Sequence, residues 1–114
     1  MIYHLTPRSW WEAHAHAVYR HPSLDEEGFI HCSTREQLVG TANRYFRGVS
    51  GLVALVVDPT RLRAEVRWEG GFPHVYGPLE REAVLGVVAF PPGRDGTFTL
   101  PEGLVAGGKF TSTS

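Results

Sequence analysis

Three histidines stand in short apolar stretches of this chain. His4 lies in Ile2-Tyr3-His4-Leu5, His31 in Gly28-Phe29-Ile30-His31-Cys32-Ser33-Thr34, and His74 in Phe72-Pro73-His74-Val75-Tyr76. A single strand histidine is more often a hydrogen-bonded structural residue than part of a site. Three in the same context point to one shared cleft. Imidazoles there can hydrogen-bond a ligand's ribose, phosphate or amide, or exchange protons near neutral pH. Three histidines can also hold zinc and leave one position open. No short-spaced pair such as H-E-x-x-H accompanies them, so no metal ligand is assigned.

The residues around these histidines extend the candidate set. Glu69 is the carboxylate nearest His74 in sequence and can orient it or act as acid or base. Tyr76 adds a phenol on the same stretch. Ser33 and Thr34 end a strand and open a helix, where free N–H groups and hydroxyls favour an anion such as phosphate; simple helix capping accounts for them equally well. Cys32 follows His31, but strand neighbours point to opposite faces, so a nucleophilic Cys–His pair is disfavoured and a buried, inert thiol is expected. There is no G-x-G-x-x-G and no P-loop, which leaves a Rossmann or Walker nucleotide site unsupported.

The elements that must position these groups can be read from pattern. Ile2–Leu5 reads as a first strand. Thr6 and Pro7 read as N-cap and first residue of a helix running to Ala15. Residues 18–28 read as a polar connection broken by Gly28, and a candidate wall or lid of the site. Phe29–Cys32 reads as a second strand, with Phe29 and His31 on one face and Ile30 and Cys32 on the other. A helix follows Thr34, with Gln37 at the capping-box position and Leu38, Thr41, Ala42 and Tyr45 along its apolar side. Leu52–Val57 is continuously apolar and reads as a strand buried on both faces. Ala64–Trp68 alternates, Gly70-Gly71 is a flexible break, and Pro73 places its strand at a sheet edge or end. Ala83–Phe90 is a further strand with Gly86 as a bulge position, and Thr97–Leu100 a last short one. The sum is an α+β fold of about six strands and two main helices.

Composition sets the outer bounds. The chain has 114 residues, 42% hydrophobic and 20% charged, which fits one ordinary globular domain. Residues 1–102 are expected to form it, and 103–114 a flexible tail rich in glycine and serine. A net charge of -1 without a basic stretch speaks against tight nucleic-acid binding, although an RNA end stays open as a ligand. No apolar run approaches the ~20 residues of a membrane span. The single cysteine excludes an internal disulfide. With no signal-peptide pattern, the expected location is the cytoplasm.

The order of motifs identifies a resemblance. The strings Gly28-Phe29-Ile30-His31-Cys32-Ser33 and Phe72-Pro73-His74-Val75-Tyr76-Gly77-Pro78, with Ile2-Tyr3-His4-Leu5, Ala42-Asn43-Arg44-Tyr45-Phe46 and Trp68-Glu69, resemble the bacterial domain of unknown function 952. The similarity covers residues 2–101. It implies an ADP-ribosylation-like fold: two small antiparallel sheets around a cleft, with two main helices. In that superfamily the cleft holds NAD, and a His on the first core strand contacts the nicotinamide-side ribose. The resemblance places His4 there, with His31 near the second core position and His74 near the third. The stacking tyrosine and the third-strand glutamate of many members have no evident counterpart. The function this implies is a transferase of ADP-ribosyl or glycosyl type acting on NAD or a phosphorylated nucleotide. His4, His31, His74 and Glu69 would be its catalytic set, and His4, Thr6, Ser33, Thr34 and Tyr76 would bind the nucleotide. The alternatives are a non-catalytic binding or regulatory module that kept the fold, and a His-ligated metal-dependent hydrolase.

Overall fold

A computed structural model describes residues 1–14, 16 and 18–104. Its elements in chain order are β1 (Ile2–Pro7), α1 (Arg8–His14), β2 (Val18–Tyr19), α2 (Pro22–Glu27), β3 (Ile30–His31), α3 (Arg35–Tyr45), β4 (Leu52–Val57), β5 (Val66–Glu69), β6 (Phe72–Val75), β7 (Leu79–Glu80) and β8 (Val84–Ala89). Short 3-10 turns cover Pro59–Arg61, Arg81–Ala83 and Glu102–Leu104. The fold is α+β, as the patterning predicts.

The continuously apolar β4 sits at the centre. It pairs antiparallel with β1 on one side and β8 on the other. Every one of its residues is buried. Side chains alternate across a strand, so Val53, Leu55 and Val57 enter one core with Ile2, Trp11, Tyr19, Ile30, Cys32 and Val75. Leu52, Ala54 and Val56 enter a second core with Tyr3, Leu5, Leu38, Ala42, Phe90 and Phe98. Each buried Val or Leu of this strand contributes about 1.5–3 kcal/mol, which makes β4 the main anchor of both faces. The register of β4 and β8 shifts between Val56, opposite Gly86, and Val57, opposite Val84. The bulge therefore falls beside the glycine that marks it in sequence.

Two further sheets complete the architecture, where the family resemblance implies two sheets in all. One is β3-β6-β5 and the other the two-residue pair β2-β7. The latter has too few residues to leave a periodic trace. An isolated bridge between Tyr3 and Ser33 ties the first sheet to the third. Its two backbone bonds, Tyr3 N–H to Ser33 O and Ser33 N–H to Tyr3 O, are 2.8 and 2.7 Å long. This junction sets His4 beside His31.

Local readings change at several points. Thr6 and Pro7 do not open a helix; they are the last residues of β1, opposite Val53 and Leu52. Thr6 is fully buried, so its hydroxyl serves a core partner instead of a cap. α1 begins at Arg8, and Ala15, the expected helix end, lies outside the described residues. Part of the connection at 18–28 is the helix α2, capped by the His21 side chain and closed by Gly28 at φ 90°. β6 is the central strand of its sheet, not an edge; Pro73 lacks a donor, but its carbonyl accepts the Cys32 N–H at 3.1 Å. Gly70 and Gly71, at φ 60° and 84°, form the two-residue turn of the β5–β6 hairpin rather than a loose break. Thr97–Leu100 forms no strand. Of the expected tail, Leu104 is buried in the second core, and 105–114 lie outside the described residues.

Candidate functional site

β3 carries His31 outward because Ile30 and Cys32 point the other way, into the first core. β6 does the same with His74, since Pro73 and Val75 are buried. The two histidines are directly opposed across the β3–β6 ladder, with ring centroids 5.4 Å apart and nearly perpendicular. Phe29 stacks on His74 at 4.1 Å and lies 4.8 Å from His31.

Each of these imidazoles has its own carboxylate. His31 Nε2 lies 3.0 Å from both oxygens of Glu27, which α2 brings back over β3. His74 Nδ1 lies 2.7 Å from Glu69 Oε1, and the Tyr76 hydroxyl donates to the same oxygen at 2.6 Å. A carboxylate only accepts, so each ring donates through the bonded nitrogen. In neutral form this leaves Nδ1 of His31 and Nε2 of His74 as the unprotonated positions. The Tyr76 and His74 hydrogen bonds hold Glu69 below the usual carboxylate range, and Glu69 in turn raises the Tyr76 phenol. Arg67 lies over the Tyr76 ring at 4.4 Å.

His4 is a different kind of residue. It is buried, with Nδ1 2.7 Å from the His31 carbonyl and Nε2 3.0 Å from the Tyr19 hydroxyl. Tyr19 Oη is also 3.0 Å from Thr6 Oγ1. Burial pushes the His4 pKa down to about 3, against a raising contribution from the His31 carbonyl. The ring is therefore neutral at pH 7, with its proton on Nδ1. Nε2 must then accept from Tyr19, and Tyr19 accepts from the Thr6 hydroxyl. Both nitrogens of His4 are used within the fold.

A cavity of about 870 Å³ opens over this region. His4, His31 and His74 all line it, and so does His21. His21 Nδ1 accepts the Ser23 N–H at 3.1 Å, which puts the ring proton on Nε2. Burial, then the charge of nearby His31, lowers its pKa. One face of α3 also lines it, through Glu36, Gln37, Gly40, Thr41 and Arg44. Arg44 makes no ion pair among the described residues; it lies over the Tyr45 ring at 5.5 Å. Tyr45, placed by spacing on the apolar side of α3, is 68% exposed and lines the cavity with Phe72.

The remaining sequence candidates fall as follows. Ser33 lines the cavity, but its N–H is taken by Tyr3 and its hydroxyl sits 3.2 Å from Thr41 Oγ1. The Thr34 N–H donates to Gln37 Oε1 at 2.9 Å. Neither residue's own N–H is therefore free for an anion: Thr34 caps α3, and Ser33 is held in the bridge to Tyr3. Thr6, Glu69 and Tyr76 do not line the cavity; Glu69 bonds to His74, which does, and Tyr76 bonds to Glu69. Cys32 is buried and its thiol is pushed up to about 12, so it is inert at neutral pH. Among the described residues no group of three or more His, Cys, Asp or Glu side chains is placed to hold a metal ion.

Sequence reasoning missed His21 and Arg44. The signal for Arg44 was present: residues 36, 37, 40 and 44 recur at helical spacing on the less apolar side of the same helix. A family model described as "Protein of unknown function (DUF952)" matches residues 4–87, a span that contains His4, His21, His31 and His74. The chain belongs to this family. The DUF952 chain is also similar to solved structures of protein CC0527 from Caulobacter crescentus. Two crystal structures, one of the protein and one of a double mutant of it, each share 34% identity with this chain over 90% of its length and 96% of theirs, with a TM-score of 0.80. A solution structure of CC0527 covers 84% and 89% with a TM-score of 0.72. No curated protein matches the DUF952 chain. Among the described residues no helix is long and apolar enough to cross a membrane.

Proposed function

We propose that this cavity binds a phosphorylated nucleotide, NAD or a close relative, and that the protein acts on it as a transferase of ADP-ribosyl or glycosyl type on an ADP-ribosylation-like fold. One observation carries the reading: His21, His31, His74 and Arg44 converge on a single cavity of about 870 Å³, a size typical of small-molecule sites. Arg44 and the Nε2–H of His21 suit a phosphate. His31 and His74, each oriented by a carboxylate, suit sugar hydroxyls and proton exchange. His4 does not touch the ribose on this reading. Its two nitrogens hold β1 against β3 and β2, and it positions His31 through the His31 carbonyl.

A thermal-shift series against NAD, ADP-ribose and nucleoside phosphates tests the proposal. A ligand at 100 times its dissociation constant stabilises by about 2.7 kcal/mol. The shift is expected in the wild type and should be lost in His74→Ala and Arg44→Ala. Absence of any shift across the series sinks it. The saturation of His4 also favours a second reading, a binding module without turnover, because the histidine that the superfamily turns to the ribose is committed elsewhere. Chromatography of NAD incubated with the protein separates the two: released nicotinamide marks the enzyme, and a thermal shift with intact NAD marks the module.

A further inference from the structure

We infer that the α3 side of the cavity is a slot for a planar aromatic ring, with the backbone at Gly40 as its floor and the exposed rings of Phe72 and Tyr45 at its rim. The inference rests on the nucleotide reading and names where the base would sit.

Gly40 lies in the middle of α3. Glycine is a poor helix former, because it gives up the most backbone freedom on folding. Two structural reasons can require one, and neither applies here. Gly40 has no positive φ, unlike Gly28, Gly48 and Gly71. A Cβ built on it would meet nothing within 4 Å, whereas one on Gly77 would come within 2.7 Å of the Ala64 Cβ. The missing side chain instead leaves the cavity open down to the helix backbone. One turn earlier, Gln37 Nε2 donates to the Gly71 carbonyl at 2.8 Å, which holds the β5–β6 turn against α3. Phe72 follows that turn directly. It is 39% exposed and Tyr45 68%, large apolar surfaces that the fold leaves uncovered while they line the cavity. A flat heterocycle is the ligand shape that uses both features: it stacks on aromatic faces and can approach a helix backbone only where no Cβ stands.

Calorimetric titrations with AMP and with ribose 5-phosphate, which lacks the base, test the slot. The wild type should bind AMP about tenfold or more tightly than ribose 5-phosphate. Gly40→Leu fills open space with a better helix former, so the melting temperature should not fall. That variant should abolish the preference for AMP and leave ribose 5-phosphate binding within about twofold of wild type. Phe72→Ala should weaken AMP by a similar factor and spare ribose 5-phosphate. Equal wild-type affinities overturn the slot, and so does a Gly40→Leu variant that lowers both ligands alike or neither. Failure of both ligands to bind the wild type overturns the nucleotide reading itself, and the slot with it.

Discussion

At the scale of single residues, burial separates the histidines into two kinds. His4 is neutral because burial disfavours its charged form, and its partners use up both nitrogens. Its folded pKa, about 3, lies below the value near 6.5 of an unfolded histidine. Between those values the unfolded chain binds more protons, so stability rises with pH through this window and is lost as pH falls. The slope from His4 reaches about 1.4 kcal/mol per pH unit, and His21, also lowered, adds in the same sense. Melting curves from pH 7 to pH 4 should therefore show falling stability, and His4→Gln should flatten the slope by up to one proton. An unchanged slope in His4→Gln would mean that His4 is not buried neutral. His4→Ala removes a buried ring and strands the His31 carbonyl and the Tyr19 hydroxyl. It should cost about 2–4 kcal/mol by denaturant titration.

Between elements, a few side-chain and turn contacts do the joining. Asn43, on α3, accepts the Phe98 N–H at 2.7 Å and donates to the Phe98 carbonyl at 3.3 Å. This pair replaces a strand ladder for 97–100 and seats Phe98 in the second core, 5.7 Å from Phe90. Asn43→Ala leaves the Phe98 N–H without that partner and should destabilise by about 1–3 kcal/mol, whereas Asn43→Asp, which still accepts, should recover part of the loss. Equal losses in the two variants would show that the N–H contact is unimportant. The Gly70-Gly71 turn is the second joint. Its positive φ values disfavour any side chain, so Gly71→Ala should cost about 1 kcal/mol. It should also loosen the Gln37 contact, which hydrogen exchange at the turn would register.

For the molecule as a whole, both cores share β4, so neither can open alone without exposing one of its faces. Unfolding should be a single cooperative transition, with near- and far-ultraviolet circular dichroism melting together; separate transitions would show that the cores are independent. The same sharing explains what was legible in advance. β4 is visible in sequence because a six-residue apolar run states its burial directly, and α3 because its capping box and three-four repeat mark a helix, although only Leu38 and Ala42 of that repeat are buried. The opposite facing of His31 and Cys32 follows from strand alternation. The meeting of His4, His31 and His74 rests on three similar contexts, and the three do line one cavity. Elements made by distant partners leave no such trace: the β2–β7 pair and the continuation of β1 through Pro7, opposite Leu52. Local sequence therefore determined that β4 is buried, which face His31 takes and where the long helix runs, because these depend on period and propensity alone. The tertiary structure alone decided that His4 is committed to Tyr19 and the His31 carbonyl. It also decided that Glu27 orients His31 and that His21 and Arg44 line the same cavity, whereas the pairing of Glu69 with His74 was already legible from their nearness in sequence. Hydrogen-bond partners up to dozens of residues apart depend on chain packing, which no local pattern records.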